Sequence, residues 1–387
     1  MAVLQLTARN KDEEHRAATT LELMFDLASV IAIAAAAVGL HHGVAEGHWL
    51  EVLPGFLMAF FMIWWSWMNY TWFASAYDDG SAAFRVLSMV AMFGALTIAA
   101  GIPAVFAGRP ILLVLLGFVI MRSAMALFWL GAAKGDPARR RTALGYAAGI
   151  VVMQVYWIAT LLLVPPDETL YPLLMIIGFA GELAVPAVSE RFGTTTWHRH
   201  HIIERYGLMN IIVLGECFLA IVAMLRGDQA GSLAGQHGLV TALTCAVITF
   251  CLWGLYFTRE DPLADNALRR ALVWGYGHFA IFASGAAVGA GFAVFHETAT
   301  GQADIALRTA SFAVASPVAI YLAALWVVRD RCCLSGWPLA ILPAGGVMML
   351  VTPLLVDEAL VPIAAQLVLA TWLRRSRTVA AEATSPA

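Results

Sequence analysis

Residues 201–222 read HIIERYGLMNIIVLGECFLAIV, an apolar run that opens on a charged pair, Glu204 and Arg205, and carries a further acid, Glu216, inside it. On a helix the two glutamates lie about 18 Å apart along the axis, so one reaches a membrane surface while the other is sunk in hydrocarbon. An acid at that depth must be protonated, paired or in contact with water, which marks Glu216 as a functional position. The structural alternative is a protonated side chain hydrogen-bonded between helices.

Composition places this stretch in a membrane. Of 387 residues, 61% are hydrophobic and only 13% charged, too little polar surface for a soluble globule. Apolar runs long enough to cross a bilayer core recur at roughly 20–41, 50–74, 84–107, 110–133, 142–164, 168–188, 202–225, 236–258, 268–295, 305–328, 336–355 and 357–373. The fold expected is all-α, a polytopic transmembrane helix bundle of about twelve spans, with no soluble domain between them. Residues before the first span are polar and charged and no small-residue cleavage site follows, so no signal peptide is expected.

Lysine and arginine alternate between loops unequally. One set of loops and termini holds nineteen of the 23, from Arg9, Lys11 and Arg16 through Lys134, Arg139, Arg140 and Arg141 to Arg374, Arg375 and Arg377. The opposite set holds Arg109, Arg226 and Arg308, and Arg122 falls within a span. Positive residues concentrate on the cytoplasmic side, so both termini are expected in the cytoplasm and, in a bacterial host, the membrane is the inner one. The basic residues thus serve topology, and the net charge of −3 gives no reason to expect a nucleic-acid partner.

The five cysteines, at 217, 245, 251, 332 and 333, form no CxxC pair and read as free thiols. Histidines cluster at 41, 42 and 48 beside Glu46, and at 198, 200 and 201, without a fixed ligand spacing. They read as interfacial polar residues, and neither a metal nor another cofactor is expected.

The two halves of the chain resemble each other. Trp67 and Tyr70 match Trp253 and Tyr256 at one constant offset, which also places Met92-Phe93 on His278-Phe279 and carries on into a small-residue run in both. Glu22 and Glu204 correspond at the heads of spans one and seven at nearly the same offset. Six spans per half predict parallel repeats about an axis along the membrane normal, over 20–190 and 191–373, between a cytoplasmic N-terminal segment (1–19) and a cytoplasmic tail (374–387). The Gly, Ala and Ser content of spans three and nine predicts central helices. Trp64, Trp65, Trp67, Tyr70, Trp72 and Phe73 read mostly as an interfacial aromatic belt, with Trp67 and Tyr70 singled out because the repeat reproduces them.

Glu22 and Asp26 share one face of the first helix. Asp26 lies about 9 Å in, deeper than a capping role requires. Glu204 and Arg205 read as a local charge pair. Arg122, Glu182 and His278 fall near the middles of spans four, six and nine. Because arginine keeps its charge, Arg122 needs a carboxylate or water. The remaining acids and His278 have the composition of a proton or cation relay.

LELMFDL at 21–27, ERYGLMNIIVLGE at 204–216 and GYGHF at 275–279 closely resemble the bacterial low-temperature-requirement protein A family, over the first span to at least the ninth. The resemblance marks Glu22, Phe25, Asp26, Glu204, Arg205, Gly207, Gly215, Glu216 and His278. Met24, Tyr206 and Cys217 stand where an aromatic, Phe and Ser are more usual, and every ionisable position is kept. The family is defined by a growth phenotype in the cold and supplies no mechanism. Phe25-Asp26 followed by VIAI at 30–33, then Trp67 and Pro103, is also similar to the lysosomal potassium and proton channels built of tandem six-helix repeats, although the second half lacks the matching aspartate.

These readings lead to one functional expectation. A small ion or solute is conducted or transported past Asp26, Glu216, His278, Glu182 and Arg122, with Trp67, Tyr70, Trp253 and Tyr256 alongside, and the lipid bilayer is the other partner. Homo-oligomers are compatible with the sequence. The alternatives are an intramembrane enzyme acting on lipid or isoprenoid substrates, and a sensor or assembly factor. Against the enzyme, DDG at 78–80 and REDP at 259–262 are too thin a set of acids to hold a diphosphate through magnesium. Retinal photoreception is not expected, because the only lysines, Lys11 and Lys134, lie outside the spans.

Overall fold

A computed structural model describes residues 4–14, 16–109, 111–165, 167–227, 233–258, 263 and 268–383. The 259–262 segment weighed above lies outside them. Twelve long helices account for most of the described residues: α1 Thr20–Ala45, α2 Trp49–Tyr77, α3 Ala82–Phe106, α4 Leu112–Gly135, α5 Arg140–Leu163, α6 Tyr171–Ser189, α7 Arg199–Gly227, α8 Leu233–Tyr256, α9 Leu268–Ala299, α10 Leu307–Leu325, α11 Ile341–Leu355 and α12 Leu360–Ala383. Eleven are long and apolar enough to cross a membrane. The exception is α12, whose apolar run from Leu360 stops at Arg374 and Arg375.

Turn chemistry sets the boundaries. Ser81 caps α3 by accepting from the Phe84 N–H at 3.1 Å. Asp136 accepts from the Arg139 N–H, with Pro137 at the first position where a missing N–H costs nothing. The tight α1–α2 connection needs Gly47, whose φ of 83° a side chain would strain. Large apolar side chains such as Val86, Met89 and Phe93 on α3, and Val151, Val152 and Val155 on α5, stand exposed. Such outward-facing surface suits lipid rather than water.

The chain divides into two compact units: the first is Met1–Ala32, Phe61–Arg205 and Asn266–Leu272; the second is Ile33–Phe60, Tyr206–Asp265 and Val273–Ala387. Within the first, α3 and α4 touch through their backbones. A Cβ on Gly94 would come within 2.6 Å of the Met121 nitrogen, and one on Gly117 equally close to the Gly94 carbonyl. Small residues thus bring a helix pair together where apolar burial gives little drive in lipid. In the second unit Gly289 of α9 lies against the Glu216–Cys217 backbone of α7, and Gly291 against the Ala313 carbonyl of α10. That carbonyl lacks its helical donor because residue 317 is proline.

Two sequence expectations change here. Of the two small-residue helices only α9 is mostly buried, the most so of the eleven spans. In α3 the glycines face α4 alone and the opposite face carries exposed Val86, Met89 and Phe93. Nor is the aromatic run on α2 an interfacial belt: Trp64, Trp65, Trp67, Tyr70 and Phe73 are all buried.

Candidate functional site

In the first unit, the foot of α1 carries a closed set of charges. Asp26 receives two hydrogen bonds from Arg205, Nη1 to Oδ2 and Nη2 to Oδ1, each 2.5 Å, and a third from Trp67 Nε1 at 2.7 Å. The guanidinium carbon lies 5.9 Å from the Trp67 ring centre. One turn earlier, Glu22 lies 3.0 Å from His201 Nε2 and 3.5 Å from Arg16 Nη2, and accepts from the Thr19 N–H at 2.8 Å. All five charged or titratable groups are buried, and two carboxylates face two guanidiniums with His201 between them. A bidentate Arg–carboxylate pair is among the strongest arrangements available to buried charge, and it leaves no net negative charge for a passing cation. Phe25 packs beside it, stacked on Tyr70 at 4.0 Å, while the Tyr70 hydroxyl donates to Ser88 Oγ at 3.1 Å.

The N-terminal segment straps this cluster. Arg16 donates to the Ala74 carbonyl at 2.9 Å and also to that of Ser75, so its charge meets the carbonyl end of α2, where Ala74 also accepts from the Asp78 N–H. The Arg9 N–H donates to the Ala76 carbonyl at 2.8 Å, and that of Leu6 to the Gly131 carbonyl at 3.2 Å. Outside the spans, burial pushes the Asp78 carboxyl above its usual range, while the hydrogen bond from Arg9 holds Glu13 below its own.

A second closed set lies farther along the same unit. Glu182 accepts from Arg122 Nη2 at 2.6 Å, from Trp65 Nε1 at 2.9 Å and from Trp157 Nε1 at 3.1 Å. Arg122 thereby has its carboxylate, and each oxygen of Glu182 has a donor.

Glu216, in the second unit, is different. It is only 7% exposed, and its carboxylate has no hydrogen-bond or ion-pair partner among the described residues. The neighbouring backbone of α9 is Gly289, whose lack of a side chain allows the approach. His278 lies on α9 about 16 Å nearer its start, so α9 does not bring it beside Glu216. His278 Nδ1 is 2.8 Å from the Trp274 carbonyl and Nε2 is 3.1 Å from the Tyr256 hydroxyl. A carbonyl can only accept, so Nδ1 carries the proton, and a neutral ring would accept at Nε2 from the tyrosine hydroxyl. The ring is enclosed by Tyr206, Trp274 and Phe282. Trp253, the expected counterpart of buried Trp67, is 44% exposed.

Two charge assignments need correction. Glu204 and Arg205 are not a local pair: Arg205 turns inward to Asp26, while exposed Glu204 accepts from the Ala18 N–H at 3.4 Å. Arg329 and Arg374 belong to a buried centre that the sequence reading missed altogether. Asp330 accepts from Arg374 Nη2 at 2.5 Å and Nε at 3.0 Å, and from Arg329 Nε at 3.1 Å. Arg329 also caps α8, donating to the Leu255 and Tyr256 carbonyls at 2.9 and 2.7 Å. The five cysteines are free thiols. Among the described residues no cluster of three or more His, Cys, Asp or Glu could hold a metal.

A polytopic α-helical membrane protein with several buried, self-neutralised ion pairs and, among the described residues, one isolated intramembrane carboxylate is the class these features define. The profile of the bacterial low temperature requirement A protein (LtrA) matches residues 17–373, and the chain belongs to that family. No curated protein and no solved structure matches it.

Proposed function

We propose that this LtrA-family protein moves a small ion or solute across the membrane, and that Glu216 binds the proton or cation in transit. The observation that carries the reading is the contrast among buried acids. Glu22, Asp26, Glu182 and Asp330 each have a cationic partner, whereas Glu216 has none among the described residues. A lone intramembrane carboxylate is costly to keep and is the usual attribute of a transport pathway. The paired acids then hold helices in place, and His278, donating and accepting within its own aromatic enclosure, holds α9 to α8. In the same reading, 20–190 and 191–373 are parallel repeats and both termini lie in the cytoplasm.

The test is flux of protons, potassium and sodium into liposomes containing the purified protein, against empty liposomes and against E216Q. Flux above the empty vesicles that E216Q abolishes or strips of pH dependence is expected. Wild-type flux no greater than that of empty vesicles for every ion and solute tried would sink the proposal.

A further inference from the structure

The second unit contains a cavity of about 610 Å³, within the range of small-molecule sites. It lies between α1, α2, α9 and α10, and its lining contains no charged residue. Along α9 it extends from Phe279 to Val294, about 22 Å, or roughly two-thirds of a bilayer core. Ala283 and Ala287 leave room on the α9 wall and Ser316 on the α10 wall, while Gly291 and Ala313 bring the two helices into contact near one end. On the α2 wall Trp49, Leu53 and Leu57 remain exposed, so a chain can enter sideways from the bilayer.

One end of the cavity, at Leu40, Val44, Trp49 and Val294, lies next to a polar rim. There His41 Nε2 is 2.9 Å from Glu297 Oε1, tying α1 to α9 just beyond Leu40 and Val294. Glu46 and Glu51 lie in and just after the adjoining turn. No lysine or arginine occurs between Arg16 and Arg85 or between Arg270 and Arg308, and Arg308, which precedes the lining residue Thr309 on α10, is engaged by Asp357 Oδ1 at 2.8 Å, so the segments forming this rim offer carboxylates and imidazoles and no unpaired cation. Such a rim can accept hydrogen bonds from an ammonium and has no unpaired guanidinium to grip a purely anionic phosphate head.

We propose that this cavity binds one acyl chain of an amine-headed membrane lipid, tail along α9 and head at the His41–Glu297 rim. The site is separate from the proposed transport role of Glu216 and stands or falls without it. A long, narrow, uncharged space of this depth suits a flexible hydrocarbon chain, which fills it without leaving a buried polar group unpaired.

The test is photolabelling of the full-length protein in bilayers by two lipids with a diazirine in the acyl chain, one ethanolamine-headed and one anionic and glycerol-headed, with peptide mapping. The ethanolamine lipid should label 279–294 and 309–320 above the lipid-exposed face at Val151, Val152 and Val155, and the anionic lipid should do so less. Ala287→Phe should reduce cavity labelling about tenfold, the loss expected if the bound tail surrenders roughly two buried methylenes. Ala287→Ser should leave it unchanged. Labelling at Val151–Val155 reports that the variant is still inserted; should Ala287→Phe not fold, Ser316→Phe fills the space from the facing helix. Cavity labelling no stronger than at Val151–Val155, equal labelling in the filled variant, or preference for the anionic lipid overturns the assignment.

Discussion

Arg205 and Asp26 meet as two parallel hydrogen bonds of 2.5 Å, joining the second turns of α7 and α1 although the residues are 179 apart in sequence. Removing one member leaves an uncompensated buried charge, which typically costs about 3–5 kcal/mol. Asp26→Asn should therefore lower the unfolding midpoint in detergent sharply. Arg205→Lys should do so too, because an ammonium cannot make the parallel pair. The double variant Asp26→Leu/Arg205→Leu should be less destabilised than the sum of its singles. Additive losses in that cycle would show that the pair is not coupled.

Glu182 and Arg122 predict an asymmetry. Without Arg122, Glu182 can take up a proton and keep its bonds from Trp65 and Trp157. Without Glu182, Arg122 cannot shed its charge. Glu182→Leu should be more destabilising than Arg122→Leu, by roughly 1–3 kcal/mol, since the buried cation loses its acceptor outright. Chemical denaturation of both variants measures the difference, and equal losses would contradict it.

What could be read from sequence follows from what is local. Length and apolarity of runs such as 202–225 place the helices, and the depth of Asp26, Glu182 and Glu216 marks them as buried, because both depend only on nearby residues. Pairing is another matter. Arg205 follows Glu204 directly and so reads as its partner, yet on a helix adjacent side chains diverge and Arg205 reaches α1 instead. Asp330 stands among Arg329 and Arg331 and looks like a loop residue; only the π-helical turn Trp326–Asp330 and the later Arg374 make it a buried hub. The aromatic run on α2 fits an interface by composition, but Trp65 and Trp67 are called inward by carboxylates on other helices.

The charge asymmetry of the loops predicts orientation. Reporters fused after Arg141, after Arg270 and at Ala387 should read cytoplasmic, while reporters near Gly47, Asp167 and Gly301 should read external. The C-terminal fusion is the most telling of the six. The apolar run of α12 ends at Arg374, and Arg374 itself is buried against Asp330. Were α12 to lie along the surface instead of crossing, Ala387 would report the side opposite to the one expected.

Glu216 and Gly289 supply the last prediction, because they separate a chemical role from a positional one. Glu216→Gln keeps shape and hydrogen-bonding capacity but removes the charge and its proton. It should insert and melt like the parent, since no ion pair among the described residues is lost, while flux or its pH dependence disappears. Gly289→Ala keeps the acid but places a Cβ within 2.6 Å of the Glu216 carbonyl carbon and 2.8 Å of the Cys217 nitrogen. The helices must part to admit it, at a cost of about 1–3 kcal/mol typical of overpacking. Gly289→Ala should therefore lower the melting point, and reduced flux in it should retain a pH dependence, because the titrating group is still present. If instead Glu216→Gln melts lower than Gly289→Ala and conducts normally, Glu216 is a structural hydrogen-bonding group between helices, and the ion pathway lies elsewhere.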